Sequence, residues 1–218
     1  MSQIVPGPIE SYLSGLSRAP DEVLQAVARQ GEELGLPIVS RELGELLHLL
    51  VGAIAARRVL EIGTAVGYST LWMARALPAD GMIITMEVDE SRAAAARQNL
   101  ADAGVADRVS VMVGDSARLV TKVSGPFDLI FQDGDKQQYE SLLDPLADRL
   151  RPGGLLVTDN VLWNGEVVPG FVTQATRNHA HTVALRRYNQ RLASDRRFLS
   201  VFLPVGDGVA LAMKTAES

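Results

Sequence analysis

The chain has no cysteine among its 218 residues. This absence excludes disulfide bonds, thiolate metal sites and thiol nucleophiles, and it is compatible with a reducing compartment. Long apolar runs are also missing, since none approaches the roughly 18 residues that a membrane-spanning helix needs. The start of the chain, MSQIVPGPIE, lacks the basic and apolar regions of a signal peptide. We therefore expect a globular protein of the cytoplasm without a membrane partner.

Excess positive charge is absent, since 26 acidic residues outnumber 21 basic ones and the formal net charge is −5. This balance argues against a broad nucleic-acid-binding face, because phosphate binding depends largely on clustered Lys and Arg. Segment 177–197 is the exception, with six Arg and a single acid, Asp195. Such a segment is usually the solvated face of a helix, but binding of an anionic substrate tail or of RNA phosphate is an alternative role.

What the chain does have is a regular alternation of apolar runs and helical stretches. At 47% apolar and 22% charged residues, it is long enough for one core, so residues 1–218 are interpreted as a single domain. Continuous apolar strands separated by helices predict a doubly wound, mostly parallel α/β sheet. The strands are predicted at 58–62, 82–86, 109–113, 127–131 and 155–158, and the helices between and after them at 71–77, 92–103, 117–123 and 139–150.

The two ends of the chain depart from this alternation. Residues 1–55 are predicted to contain helices at 23–34 and 41–54, the second with Ser40 as its N-cap, before a Rossmann-like core at 56–218. After a Gly/Pro loop, a helix at about 176–193 precedes strands at 198–203 and 209–213. The turn at 204–208 predicts a hairpin, so that the seven-stranded sheet ends with an antiparallel strand.

Polar side chains follow two of the predicted strands. FDLIF is followed by Asp133-Gly134-Asp135-Lys136, and GLLVT by Asp159-Asn160. Ligands bind open α/β sheets at the carboxyl ends of the strands. Two carboxylates and an amide oxygen suit Mg²⁺, Mn²⁺ or Ca²⁺ rather than zinc. Helix capping and turn formation are the alternative roles for such residues.

A glycine-rich turn follows the first parallel strand. In VLEIGTAVGYS, Gly63 and Gly67 allow a close approach of backbone to a ligand at the start of a helix. The spacing E-x-G-x-x-x-G lacks the G-x-G-x-x-G of the dinucleotide fingerprint, which disfavours a pyrophosphate cofactor. Glu87 ends the second strand, where an acid of this topology accepts hydrogen bonds from ribose hydroxyls. Together these features favour a nucleoside cofactor.

These residues resemble the S-adenosylmethionine site of class I methyltransferases. Over about 36–214 the chain further resembles the cation-dependent O-methyltransferases of the caffeoyl-CoA O-methyltransferase type, and more distantly catechol O-methyltransferase. The first 35 residues match poorly. The matching segments are VLEIGTAVGYST, the acid of TMEVDE, GVADRV, FDLIFQDGDKQQY, TDNVLWNG and LPVGDGVALA.

The resemblance implies a role for each matching residue. Lys136 and Asp133 would be catalytic, and Asn164 would lie near the substrate. Val39 stands where the family often has Thr, which removes a side-chain contact to the cofactor, and Gly134 replaces a commoner Ala. The implied metal ligands are Asp133, Asp159 and Asn160, and the implied cofactor contacts are Val39, Glu61, Gly63, Thr64, Ser69, Glu87, Ser116 and Asp135.

The activity implied is methyl transfer from S-adenosylmethionine to one hydroxyl of a vicinal dihydroxy, catechol-type small molecule. Both hydroxyls would bind a divalent cation, Mg²⁺ above all, and Lys136 would accept or stabilise the leaving proton. A homodimer and helices at 1–55 that cover the entrance are further expectations from the resemblance. Methylation of a hydroxylated tRNA base and cofactor binding without catalysis are the alternatives. His179 and His181, two residues apart, do not share a helix face and are not expected to bind a metal.

Overall fold

The computed structural model describes residues 4–17, 19–171 and 179–216, and within them seven strands form one sheet. Most of these strands are apolar along their length, and β1 is buried at every position after its first residue. The strands are β1 (Arg58–Ile62), β2 (Met82–Glu87), β3 (Val109–Val113), β4 (Phe127–Gln132), β5 (Leu150–Thr158), β6 (Phe198–Leu203) and β7 (Val209–Lys214).

The order of strands across the sheet is β3-β2-β1-β4-β5-β7-β6. The first five strands pair in parallel, whereas β7 pairs antiparallel with both β5 and β6. The predicted mostly parallel sheet with an antiparallel last strand is therefore confirmed. The hairpin returns β7 into the sheet next to β5, and β6 becomes an edge strand.

The register aligns the carboxyl ends of three central strands. Ile62 at the end of β1 pairs with Gln132 at the end of β4, and Gln132 pairs with Thr158 at the end of β5. Whatever follows these three residues therefore meets at one edge of the sheet.

Helices cover both faces of the sheet. The buried residues of α2 to α5 pack with one apolar face, and those of α6, α7 and α8 pack with the other. The helices are α1 (Gly7–Leu16), α2 (Glu22–Glu33), α3 (Arg41–Ala53), α4 (Tyr68–Ala76), α5 (Glu90–Asp102), α6 (Ser116–Leu119), α7 (Tyr139–Arg149) and α8 (His179–Ser194). Within the described residues, none of these helices has the length and apolarity required to span a membrane.

Helix starts follow local capping chemistry. Ser40 caps α3 as predicted, because its hydroxyl accepts a hydrogen bond from the Leu43 amide at 3.2 Å. Helix α1 was not predicted, although it carries an apolar stripe at helical spacing; the stripe is exposed and consists of Ile9, Tyr12, Leu13 and Leu16. The predicted start of the last helix at 176 lies outside the described residues.

Candidate active site

Asp133 and Asp159 stand side by side where strands β4 and β5 end. The Asp133 amide donates to the Ile62 carbonyl at 2.8 Å, and the Asp159 amide donates to the Gln132 carbonyl at 3.1 Å. Both residues thus continue the ladder of the parallel strands by one step. Neighbouring strands lie about 4.8 Å apart, so the two carboxylates start from adjacent backbone positions.

Lys136 lies against this carboxylate pair. Its Nζ donates to Asp133 Oδ1 at 2.8 Å, and the side chain is only 13% exposed. A 3₁₀ turn at Lys136–Gln138 places the lysine, and the Asp135 carboxylate caps that turn by accepting from the Gln137 amide at 3.1 Å. The Nζ atom also lies 5.4 Å from the centre of the Tyr139 ring. These contacts distinguish Lys136 from a lysine on the solvated surface.

The electrostatics of Asp159 favour a bound cation. Burial raises the pKa of its carboxyl well above the ordinary range, and the negative charge of Asp133 raises it further. Lys136 lowers this pKa, but it is one ammonium beside two carboxylates. A hard divalent cation fits such a donor set, because it would neutralise the second negative charge.

Asn160 completes the predicted metal ligands. It has a left-handed backbone, with φ of 61°, which Asn tolerates better than most residues. Its Nδ2 donates to Asp207 Oδ2 at 3.4 Å, which involves the amide nitrogen, whereas metal coordination uses the amide oxygen. The described residues contain no group of three His, Cys, Asp or Glu side chains that would hold a metal. The predicted set has two carboxylates and relies on an amide for its third ligand.

A cavity of about 410 Å³ adjoins the carboxylate pair. Asp133 forms part of its wall, together with most of the predicted cofactor residues. The predicted cofactor residues in the wall are Val39, Gly63, Thr64, Ser69, Glu87, Ser116 and Asp135. The geometry therefore brings seven of the eight predicted positions to one cavity.

Glu61 is the eighth predicted position, and it lies behind the cavity wall. Its fully buried carboxylate accepts hydrogen bonds from Ser69 Oγ at 2.6 Å and from Thr70 Oγ1. Burial raises the pKa of Glu61 to about 7, against the lowering effect of these hydroxyls. In this position Glu61 orients Ser69, which does line the cavity.

Gly63 joins the cofactor turn to the carboxylate pair. Its φ is 97°, and a Cβ at this position would lie 2.5 Å from the carbonyl oxygen of Asp133. Any larger residue would therefore be strained and would also displace the backbone of Asp133. The requirement for glycine here comes from the packing of β1 against β4.

Glu87, at the end of β2, also contacts the glycine-rich turn that follows β1. Its Oε2 accepts from the Ala65 amide at 2.8 Å, and its Oε1 accepts from Arg92 Nε at 2.9 Å. Oε1 also accepts from the Asp89 amide at 3.0 Å and lies 2.6 Å from Arg92 Nη2. Oε1 is therefore fully engaged, and Oε2 is the atom with a lone pair left for a ribose hydroxyl. Arg92 also lines the cavity and was not predicted from the sequence.

A second cavity of about 720 Å³ lies on the other side of the segment 37–39. Asp159, Asn160 and Asn164 line this second cavity, whereas Asp133 lines the first, and residues 37–39 line both. Parts of α1 and α3 form the rest of its wall. The predicted metal and substrate residues thus lie between a cofactor-sized cavity and a separate space for another molecule.

Three side chains near the site were missed by the sequence analysis. Asp207 accepts from the Asn164 amide, but its position in a hairpin turn indicated only turn chemistry. His181 Nε2 lies 3.7 Å from Asp135 Oδ1. The Tyr139 hydroxyl lies 3.3 Å from the carbonyl oxygens of both Gln132 and Asp159. No local pattern marks these residues, since each contact joins distant parts of the chain.

Three of the six arginines of segment 177–197 are engaged within the protein. Arg186 donates at 2.8 Å to the carbonyls of Glu166 and Val167. Arg191 and Arg197 both pair with Asp144, at 2.5 and 2.7 Å. Arg177 lies outside the described residues. The described part of this segment therefore uses three of its arginines to hold α8 in place.

Comparison with known proteins places this site in a family. Residues 17–215 match the model of an O-methyltransferase family. The chain is 37% identical to a catechol O-methyltransferase of Niastella koreensis over 94% of this chain and 96% of that protein. It is 34% identical to caffeoyl-CoA O-methyltransferase 1 of Eucalyptus globulus, over 80% and 74% of the two chains.

A solved structure gives the same result. The O-methyltransferase TomG of Streptomyces achromogenes, in complex with S-adenosylmethionine, superposes with a TM-score of 0.83 at 35% identity, over 96% of each chain. The resemblance found in the sequence is thereby confirmed. The chain belongs to the O-methyltransferase family and is an S-adenosylmethionine-dependent O-methyltransferase of the catechol and caffeoyl-CoA type.

Proposed function

We propose that the protein transfers a methyl group to one hydroxyl of a vicinal dihydroxy aromatic small molecule, in a reaction that requires a divalent cation. The observation that carries this proposal is the cluster of Asp133, Lys136 and Asp159, in which Asp133 lines the first cavity and Asp159 lines the second. It combines hard oxygen donors with a part-buried ammonium. Two relatives named for catechol and caffeoyl-CoA support an acceptor with neighbouring hydroxyls.

The residues that would hold the cation are Asp133, Asp159 and Asn160. Mg²⁺ suits this oxygen set, and Mn²⁺ or Ca²⁺ are alternatives. When bound, such a cation lowers the pKa of a hydroxyl that coordinates it. The protein's own part is to bring two carboxylates from adjacent strands to one point and to keep them buried.

Lys136 would receive or stabilise the proton that leaves the acceptor hydroxyl. Its ammonium is fixed by Asp133 at 2.8 Å and is largely shielded from water. Lys136 is not among the described residues that line either cavity, so its link to the site is the contact with Asp133. Asn164, which lines the second cavity, would contact the acceptor from the opposite side.

The cofactor residues would hold S-adenosylmethionine in the 410 Å³ cavity, where its sulfonium supplies the methyl group. Glu87 would bind the ribose, and the backbone at Gly63 and Thr64 would approach the amino-acid part closely. Ser116 and Asp135 would contact the remainder, with Glu61 acting through Ser69. The rate enhancement comes from aligning the acceptor oxygen, the methyl carbon and the sulfur. This effect lowers a reaction barrier by several kcal/mol, up to about 7 to 11 in well-oriented systems.

Methylation of a hydroxylated tRNA base is the alternative. The arginines of segment 177–197 were its sequence support, and three of them, Arg186, Arg191 and Arg197, are engaged in internal contacts. A homodimer, a location in the cytoplasm and the division into one domain with an N-terminal cover remain predictions.

The test is a methyl-transfer assay with a panel of catechols and matched monohydroxy phenols, with and without chelator. We expect turnover on catechols alone, its loss on chelation and its recovery with Mg²⁺. Full activity after exhaustive chelation would contradict the cation requirement, and equal turnover of the monohydroxy phenols would contradict the vicinal pair. Retention of RNA on a filter at low salt would instead support the tRNA alternative.

A further inference from the structure

The 720 Å³ cavity has walls of one sign of charge. Its lining includes Glu10 from α1, Glu42 from α3, and the site residues Asp159 and Asp207. Among the described residues that line it there is no Lys, Arg or His. The remaining wall is made of apolar side chains, hydroxyls and amides. A molecule that enters this cavity therefore meets a negative potential in a partly enclosed space.

Glu10 and Glu42 are the carboxylates of this wall that the proposed chemistry does not use. Neither carboxylate has a hydrogen bond or ion pair with a described residue. The basic residue nearest in sequence, Arg41, donates to Glu45 at 3.1 Å, one turn further along α3. Both glutamates are half-buried, so their charges are screened less than those of fully exposed side chains. The inner part of the same cavity ends at Asp159, which is 5% exposed.

We propose that the acceptor cavity selects catechol-type molecules with a cationic tail, such as an amine, and disfavours acceptors with an anionic tail. This inference rests on the proposed function, because it assigns the 720 Å³ cavity to the acceptor. A cationic tail is attracted by Glu10 and Glu42 once the hydroxyls are at the Asp159 end. An anionic tail, including a phosphate-bearing thioester, meets two like charges with no described cation to offset them.

The expected size of the selection follows from the exposure of the two glutamates. One partly exposed ion pair changes an affinity by up to about fivefold. The glutamates attract a cationic tail and repel an anionic one, so the affinities of the two acceptors should differ by roughly tenfold or more. Because the tail lies away from the reacting hydroxyl, the difference should appear in KM and not in kcat.

The experiment compares three acceptors that share one ring: 4-ethylcatechol, 4-(2-aminoethyl)catechol and 3-(3,4-dihydroxyphenyl)propanoate. Each is assayed at low and high salt with the wild-type protein, with Glu10→Gln, Glu42→Gln and the double variant, and with Glu42→Lys. Glu33→Gln is the matched control, because Glu33 is an exposed glutamate of α2 that lines neither cavity.

We expect the amine-tailed acceptor to exceed the propanoate about tenfold in kcat/KM, with the neutral acceptor between them. The double variant should reduce this ratio to about twofold, Glu42→Lys should reverse it, and Glu33→Gln should leave it unchanged. High salt should weaken it in the wild type. Equal rates for the two charged tails, or a ratio unchanged in the double variant, would overturn the inference. Turnover of neutral 4-ethylcatechol reports separately on the proposed function, which would then still stand.

Discussion

Replacing Gly63 with alanine should damage both stability and catalysis, because this glycine joins the cofactor turn to the metal site. Two costs add. A residue with a side chain at φ of 97° is strained by about 1 to 2 kcal/mol. The new Cβ would lie 2.5 Å from the Asp133 carbonyl oxygen, well inside van der Waals contact, and relieving this overlap costs about 1 to 3 kcal/mol.

The expected loss in free energy of unfolding for Gly63→Ala is therefore about 2 to 5 kcal/mol, a large part of a typical stability. Urea denaturation followed by the fluorescence of the two tryptophans measures it. The matched control is Gly52→Ala, on an exposed position of α3 where a Cβ meets nothing within 4 Å. The control should gain about 0.5 to 1 kcal/mol, as alanine does over glycine inside a helix.

Catalysis should fall further than folding alone explains. The overlap in Gly63→Ala is with the backbone of Asp133, so its relief displaces a proposed metal ligand. In the folded variant we expect a lower kcat and a higher Mg²⁺ concentration for half-activation. A loss of less than about 1 kcal/mol in stability, together with unchanged Mg²⁺ activation, would refute the reasoning.

Three further predictions concern the charged groups of the site. Lys136→Ala should reduce kcat by roughly 10² to 10⁴-fold, the range of general acid–base groups. Lys136→Arg should not restore the rate in steady-state assays, since Arg cannot give up its proton, and recovery would mean that only positive charge is needed. In calorimetric titration, Glu87→Ala should bind S-adenosylmethionine more weakly by about 1 to 3 kcal/mol. Asp159→Ala should bind the cofactor with nearly unchanged affinity but lose turnover. Equal cofactor affinities of the two variants would contradict the assignment. For Glu61 the folded pKa of about 7 lies above the ordinary 4.5, so its stabilising contribution is complete below pH 4.5 and is lost as the pH rises through 7. In chelator-treated protein, Glu61→Gln should remove this decline in the free energy of unfolding between pH 5 and pH 8. A decline of the same slope in the variant would be evidence against the role of Glu61.

Features with a local cause were predictable from the sequence. The bounds of β1 at Arg58–Ile62 and of β3 at Val109–Val113 match the prediction, because a continuous apolar run specifies a buried parallel strand. Ser40 caps α3 through its own hydroxyl, a contact between residues three apart. The positions of Asp133 and Asp159 at the strand ends follow from the same runs, and the parallel arrangement then requires their ends to meet.

Features with a distant cause were decided by the tertiary structure alone. The need for glycine at position 63 against the Asp133 carbonyl arises only when β1 and β4 pair. Tyr139 reads as the first residue of a helix, yet its hydroxyl reaches the ends of two strands. Helix α1 has no buried face of its own, but it supplies Glu10 to the acceptor cavity. The sequence by itself determined the strands, the caps and the chemical types of the site residues, because these depend on neighbouring residues. The shape of the cavities and the charge of their walls depend on contacts between segments far apart in the chain, so only the folded structure could decide them.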